Sequence, residues 1–146
     1  MEEIVRRQAD RLLRVAVAAM GGVSEAEDVV QDVFLRMLEK KVRFDDEKHE
    51  EAWLVKVTVN VCRNRVRSRW WRREPLLATI PARDDGQHEV VDAVMRLPKK
   101  YRVVVHLHYF EGYSTREIAE ITACKEAAVR QQLSRARREL KKFLED

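Results

Sequence analysis

Glycine, proline and cysteine are scarce in this chain of 146 residues, with four, three and two copies. The few glycines and prolines fall where helical patterns stop. Gly21-Gly22 closes one stretch, Pro75, Pro81 and Gly86 interrupt another, Pro98 opens a helix as its first position, and Gly112 ends it. Cys62 and Cys124 lie far apart without metal-ligand spacing, so they read as reduced thiols and no metal site is expected. His106 and His108, two residues apart on an expected helix, do not share a face. No apolar run is long enough for a membrane span and no signal-peptide pattern follows Met1, which implies a cytoplasmic protein without membrane insertion. A Gly-rich phosphate loop, a nucleophile motif and paired carboxylates are all missing. No catalytic residue, no cofactor and no enzymatic role are therefore expected. Internal repeats that would suggest a solenoid are absent too.

What is present is charge in two blocks. The net charge is only +4, with pI near 9.2, so location says more than the sum. From Asn60 to Arg73 there are six arginines and no acid; from Lys125 to Lys142 there are seven cations against Glu126 and Glu139. Two separated basic surfaces suit a long polyanion such as duplex DNA. The second block belongs to a pattern of its own. Ser114 and Glu117 make a capping box that opens a short helix, Ile118 and Ile121 point inward, and a tight turn leads to a second helix. On that helix Val129, Leu133, Ala136, Leu140 and Phe143 recur at helical spacing, leaving Arg130, Gln131, Ser134, Arg135, Arg137, Arg138, Lys141 and Lys142 around the rest. This is the grammar of a helix-turn-helix DNA reader.

Upstream, Val5, Ala9, Leu12, Ala16 and Met20 form one stripe of a first helix from Glu2 to Met20. Ser24 and Glu27 suggest a second capping box ahead of a helix to about Lys40, with Ala26, Val29, Val30, Val33, Phe34, Met37 and Leu38 inward. Its other side carries Asp28, Gln31, Asp32, Leu35 and Glu39, an acidic surface with an apolar residue inside it. The segment Val55 to Val61 alternates as a half-buried strand would and is rich in β-branched residues. A helix nonetheless explains the whole span from Glu50 to Arg69, with Trp53, Val57 and Val61 at helical spacing and Lys56, Asn60, Arg63 and Arg67 on one polar stripe. Glu74 to His88 has no sustained period and reads as a linker; a second helical unit begins at Glu89 and includes a helix from Pro98 to about Phe110. The expected class is all-α: two small helical domains, 1–74 and 89–146, joined by a flexible linker over 75–88.

Several ordered motifs carry a family likeness. Ala26-Glu-Asp-Val-Val-Gln-Asp-Val-Phe-Leu-Arg-Met-Leu38 and Ala52-Trp-Leu-Val-Lys-Val-Thr-Val-Asn-Val-Cys-Arg-Asn-Arg-Val-Arg67 come first. Leu97-Pro, Tyr109-Phe-Glu-Gly-Tyr-Ser-Thr-Arg-Glu-Ile-Ala-Glu120 and Leu133-Ser-Arg-Ala-Arg137 follow. In that order they resemble bacterial sigma factors of the extracytoplasmic-function group, over nearly the whole chain. The resemblance implies a region-two helical bundle in front and a region-four helix-turn-helix domain behind. It further implies that Asp28, Gln31, Asp32 and Leu35 dock on core RNA polymerase. The loop from Phe44 to Glu51 and the helix after it would open promoter DNA near minus ten and hold an unstacked base. There Asn60 would read the base, flanked by Lys56, Arg63 and Arg67 on the strand. The back domain would read the element near minus thirty-five through Lys125, Arg130, Gln131 and Arg135, with Thr115 and Arg116 near the backbone. Family members are often held inactive by an anti-sigma protein, so the resemblance implies that partner as well.

The chain departs from the family pattern in the turn. Gly, an apolar residue and Ser are usual there, whereas Ala123, Cys124 and Lys125 stand here, and Lys125 supplies no N-cap acceptor. Ala128 and Gln131 replace small polar residues, and Gln132 stands where Arg is usual, so the resemblance implies no particular promoter sequence. Trp53 reads as core, while Trp70 and Trp71 stay open between stacking on bases and packing. A stand-alone helix-turn-helix regulator is the alternative function; it leaves the Asp28–Gln31–Asp32 face and the arginine-rich segment without a role.

Overall fold

The computed structural model describes residues 2–70 and 88–145, with side chains described for 2–66 and 90–144. The expected linker up to residue 87, Trp71 and the side chains of Arg67 and Trp70 lie outside the described residues, while the linker's expected last residue, His88, opens a helix. The chain divides into two compact units, Met1–Ala78 and Thr79–Asp146. Helices α1 (Glu2–Met20), α2 (Val23–Lys40) and α3 (Glu47–Trp70) build the first. The second holds α4 (His88–Arg96), α5 (Lys99–Val105), a π-helical turn (His106–Phe110), α6 (Thr115–Thr122) and α7 (Glu126–Glu145). No strand occurs among the described residues.

In the first unit the three helices pack on one another around Leu12, Val15, Ala16, Met20, Val29, Val33, Met37, Leu54, Val55 and Val59, all essentially buried. The alternation at Val55 to Val61 is overridden: α3 runs through it and buries Val55, Thr58, Val59, Val61 and Cys62 on a broad face. The Thr58 hydroxyl, buried on that face, donates to the Leu54 carbonyl at 2.7 Å, so it enters the core with its polar group satisfied.

Two expectations fail here. Gly21 takes φ +86, a left-handed conformation open to glycine, and its N–H reaches the Val17 carbonyl at 2.8 Å. Gly22 is then extended and caps α2, so Ser24 and Glu27 already lie inside the helix and form no capping box. The α1 seam is also rotated. Gln8 is buried while Val5 is exposed, because Gln8 and Arg7 meet the buried carboxylate of Glu50 at the start of α3. Arg7 Nη2 lies 2.9 Å from Glu50 Oε2 and Gln8 Nε2 3.2 Å from Oε1. Arg11 pairs with Glu51 beside them at 2.7 Å. A buried carboxylate is tolerated only with such partners.

The second unit packs α5 and α6 on α7 around Val104, Leu107, Ile118, Val129, Leu133 and Ala136. Pro98 is the N-cap of α5 rather than its first residue. The helix does not run unchanged to Phe110. A π-helical turn replaces its last five residues, the Glu111 N–H reaching back to the His106 carbonyl at 3.1 Å. Gly112, at φ +79, then turns the chain toward α6.

Candidate nucleic-acid interface and docking face

In the first unit the outer side of α2 presents Asp28, Gln31 and Leu35 to solvent, with Asp32 half-buried among them. Leu35 is 56% exposed, an apolar side chain on an otherwise polar face. These four residues and Arg65 of α3 line an open depression of about 450 Å³. Asp32 is held from two sides: Arg36 Nε is 3.2 Å from Oδ1, and Arg65 Nη2 is 3.6 Å from Oδ2. Exposed pairs of this kind add little stability, so their effect is to fix the carboxylate in place. The spacing of Asp28, Gln31 and Asp32 revealed the face; Arg65, distant in sequence, gave no local signal.

Helix α3 carries the second candidate surface. Its start is set by Asp46, whose Oδ1 accepts from the His49 N–H at 2.7 Å. Phe44 packs edge-on to His49, centroids 5.4 Å apart, and against the half-buried Trp53 at 5.7 Å. Trp53 is thus the wall of a small aromatic cluster rather than full core. Further along, Lys56 and Asn60 are exposed and Arg63 is half-buried. At about 100° per residue these three share a stripe, and Arg65 points to the opposite side of the helix. The arginine-rich run is therefore not a single surface.

The second unit holds the helix-turn-helix. The Ser114 hydroxyl accepts from the Glu117 N–H at 3.1 Å while Glu117 Oε1 accepts from the Ser114 N–H at 3.0 Å, the reciprocal box expected. Ala123 closes α6 in the left-handed region, φ +55, a conformation that costs an L-residue with a Cβ about 1–2 kcal/mol. At the start of α7, Glu126 gathers the groups around it. Thr115 Oγ1 donates to Glu126 Oε1 at 3.0 Å and Arg130 Nη2 at 2.7 Å. The bonds from Arg130 and then Thr115 hold the Glu126 carboxyl below the usual value. Lys125, Arg116, Arg130, Gln131 and Arg135 are exposed, and Thr115 is half-buried. Arg137 Nε donates to the Tyr109 hydroxyl at 2.6 Å, tying α7 to the π-helical turn.

The cysteines and histidines have structural surroundings. Burial pushes the Cys62 thiol up to about 12, which keeps it protonated and unreactive. Cys124 Sγ donates to the Thr122 carbonyl at 3.4 Å. His106 Nε2 is 2.7 Å from Glu111 Oε2, and His108 Nδ1 is 2.8 Å from the Tyr113 carbonyl. No cluster of metal-ligating side chains occurs among the described residues, and no helix there is long and apolar enough to cross a membrane.

A capped helix-turn-helix with a cationic second helix defines a DNA-binding protein, and a separate helical unit with its own acidic face accompanies it. Residues 4–72 match Sigma-70 region 2 and residues 87–140 match Sigma-70, region 4. The extracytoplasmic-function (ECF) RNA polymerase sigma factor SigE of Mycolicibacterium smegmatis is 29% identical over 157 residues, spanning 98% of this chain and 61% of SigE. The ECF RNA polymerase sigma factor SigW of Bacillus subtilis is 25% identical over 99% of this chain and 88% of its own. Among solved structures, the sigma factor RpoE in complex with the anti-sigma factor NepR from Bartonella quintana shares the fold. Its TM-score is 0.81, with 21% identity over 99% of this chain and 96% of that one. The chain belongs to the sigma-70 family, in the extracytoplasmic-function group. Sigma factors are non-enzymatic initiation factors, so neither an enzyme nor a stand-alone regulator is favoured.

Proposed function

We propose that this chain is a cytoplasmic, dissociable initiation subunit that recruits core RNA polymerase to promoters and opens them. Residues 1–74 form the docking and melting domain, 75–88 the linker and 89–146 the duplex-reading domain. Asp28, Gln31, Asp32 and Leu35 dock on polymerase. Asn60 holds an extruded base while Lys56, Arg63 and Arg67 grip the displaced strand. Lys125, Arg130, Gln131 and Arg135 face the major groove, with Thr115 and Arg116 beside the backbone. The observation that carries the reading is the first unit's pairing of two surfaces on packed helices: an acidic-apolar face on α2 and an amide flanked by cations on α3. A regulator that only bound duplex DNA would need neither. The complex of RpoE with NepR supports an anti-sigma protein as a further partner.

Reconstitution with core polymerase tests this. Replacing Asp28, Gln31 and Asp32 together by alanine should reduce pull-down of core about tenfold or more, ~1.4 kcal/mol. The circular-dichroism spectrum should be preserved. Asn60→Ala should retain core and duplex binding but give few permanganate-reactive thymines, and a premelted promoter should rescue it. Undiminished pull-down by the triple variant would remove the docking assignment. Equal opening by Asn60→Ala on a fully paired promoter would remove the melting assignment.

A further inference from the structure

A carboxylate is buried where α3 begins. Glu50 has 5% of its side chain exposed. Arg7 Nη2 lies 2.9 Å from one of its oxygens and 3.2 Å from the other, with Arg7 Nε at 3.3 Å and Gln8 Nε2 at 3.2 Å. Arg7 also stands 3.7 Å from Glu47, and Arg11 2.7 Å from Glu51. Three acids at the head of α3 are thus each met by an arginine of α1. Apolar side chains of similar volume would hold two helices together at least as well, because taking two charges out of water costs about what their attraction returns, or more. What a forked, directed contact adds is a fixed position: its bonds fail if α3 slides or turns against α1.

The chain ahead of α3 hangs on that first turn. The Asp45 N–H donates to His49 Nδ1 at 3.2 Å, the His49 N–H to Asp46 Oδ1 at 2.7 Å, and the Glu50 N–H to the Asp46 carbonyl at 3.1 Å. Phe44 rests on the rings of His49 and Trp53. Among the described residues, the hydrogen bonds, ion pair and ring contacts of Phe44, Asp45 and Asp46 run to α3. At about 100° per residue, His49, Trp53, Lys56, Asn60 and Arg63 occupy one stripe ~80° wide, and Glu50 falls outside it, toward the core. The aromatic cluster therefore heads the same stripe that carries Asn60 about 10 Å further along the axis.

We propose that Glu50 is a positioning residue for promoter opening. Gripped by Arg7 and Gln8, it fixes where the head of α3 stands, and so presents the segment from Phe44 to Asp46, Trp53 and Asn60 as one preformed surface. The inference rests on the reading that α3 opens the promoter. Extruding a base costs free energy that contacts to it must offset, and a segment still to be ordered at that moment adds its own cost. Glu50 itself touches no DNA. Its effect passes through the first turn of α3, so it belongs to the opening step and not to recruitment of polymerase.

The test reconstitutes full-length variants with core polymerase. Glu50→Ala removes the acceptor; Gln8→Leu with Glu50→Met replaces the directed bonds by an apolar seam. The seam variant should keep the wild-type urea midpoint, and both should keep wild-type pull-down of core. On a fully paired promoter the yield of permanganate-reactive thymines should fall about fivefold or more in both, the equivalent of leaving roughly one residue to be ordered. A premelted promoter should restore it. Glu50→Gln, which keeps an acceptor for Arg7 and Gln8, should open more than either. Amide exchange over residues 44–50 should quicken in the seam variant while α2 keeps its protection. Wild-type opening by the seam variant overturns the proposal. So does a loss of opening that only matches a loss of urea midpoint or of core pull-down, since Glu50 is then merely structural. A wild type that gives no reactive thymines with core polymerase overturns the melting reading itself.

Discussion

The two units use charge in opposite ways. In the first, Arg7, Arg11, Arg36 and Arg65 each meet a carboxylate of the same unit, at Glu50, Glu51 and Asp32. In the second, Arg135 and Arg138 meet none among the described residues, and order comes from the Ser114–Glu117 box and from arginine against aromatic rings at Tyr109 and Phe143. Arg130, paired with Glu126, and Lys142, paired with Glu139, are exceptions. A count of cations is therefore a poor guide to nucleic-acid contact. What matters is whether the fold supplies the counter-charge. Arg65 illustrates it: it belongs to an acid-free run of the sequence yet turns to Asp32 on the acidic face of α2.

If pairing in the first unit is structural, its removal should cost stability there and nowhere else. Glu50→Ala leaves the buried Gln8 amide and one edge of Arg7 without their acceptor. It should lower unfolding free energy by about 2 kcal/mol, within the range for a buried polar group left unpaired. Urea denaturation followed by circular dichroism measures it, and a loss below about 0.5 kcal/mol, the level of an ordinary surface change, would show that the tie is dispensable. Smaller, and confined to the second unit, is the effect of Ser114→Ala. Loss of this cap should cost about 1 kcal/mol, visible as faster amide exchange in α6 with α1 to α3 unchanged; equal protection in α6 would mean the box does not anchor it.

Smallest is the response of the Arg130–Glu126 pair. Glu126 is half-buried and its carboxyl is held below the usual value by Arg130 and Thr115. Its contribution to stability is present above the ordinary glutamate value and fades as pH falls through the depressed one. An NMR titration should place its midpoint below the ordinary value, and Arg130→Ala should move it upward. A midpoint that ignores Arg130 would mean the pair does not persist in solution.

Elements written within a few residues of sequence were legible before the structure. The Ser114–Glu117 box, the α7 stripe of Val129, Leu133 and Ala136, and the helix through Val55 to Val61 all appear as read. What escaped depended on distance or on geometry between neighbours. Arg7 and Gln8 lie 43 and 42 residues from Glu50, and Asp32 meets Arg65 across two helices. Ser24 and Glu27 have the spacing of a cap, but Gly21 and Gly22 turned the chain early enough for Gly22 to take that position. The face of Asp28, Gln31, Asp32 and Leu35 was visible from helical spacing; its positioning arginine was not.

The π-helical turn from His106 to Phe110 changes angular phase rather than length. An α-helix ending there would carry each side chain on by about 100° per residue; the wider turn lags behind that count. Leu107 stays in the core while Tyr109 and Phe110 swing outward. The lag also brings His106 onto Glu111, whose side chain is 2% exposed, and His108 onto the Tyr113 carbonyl. Two clasps thus bracket the last residues before Ser114. The direction in which α6 leaves α5 is set by rotation at this point, as the angle of a bolt is set by its thread, and lengthening α5 by a residue would aim α6 somewhere else.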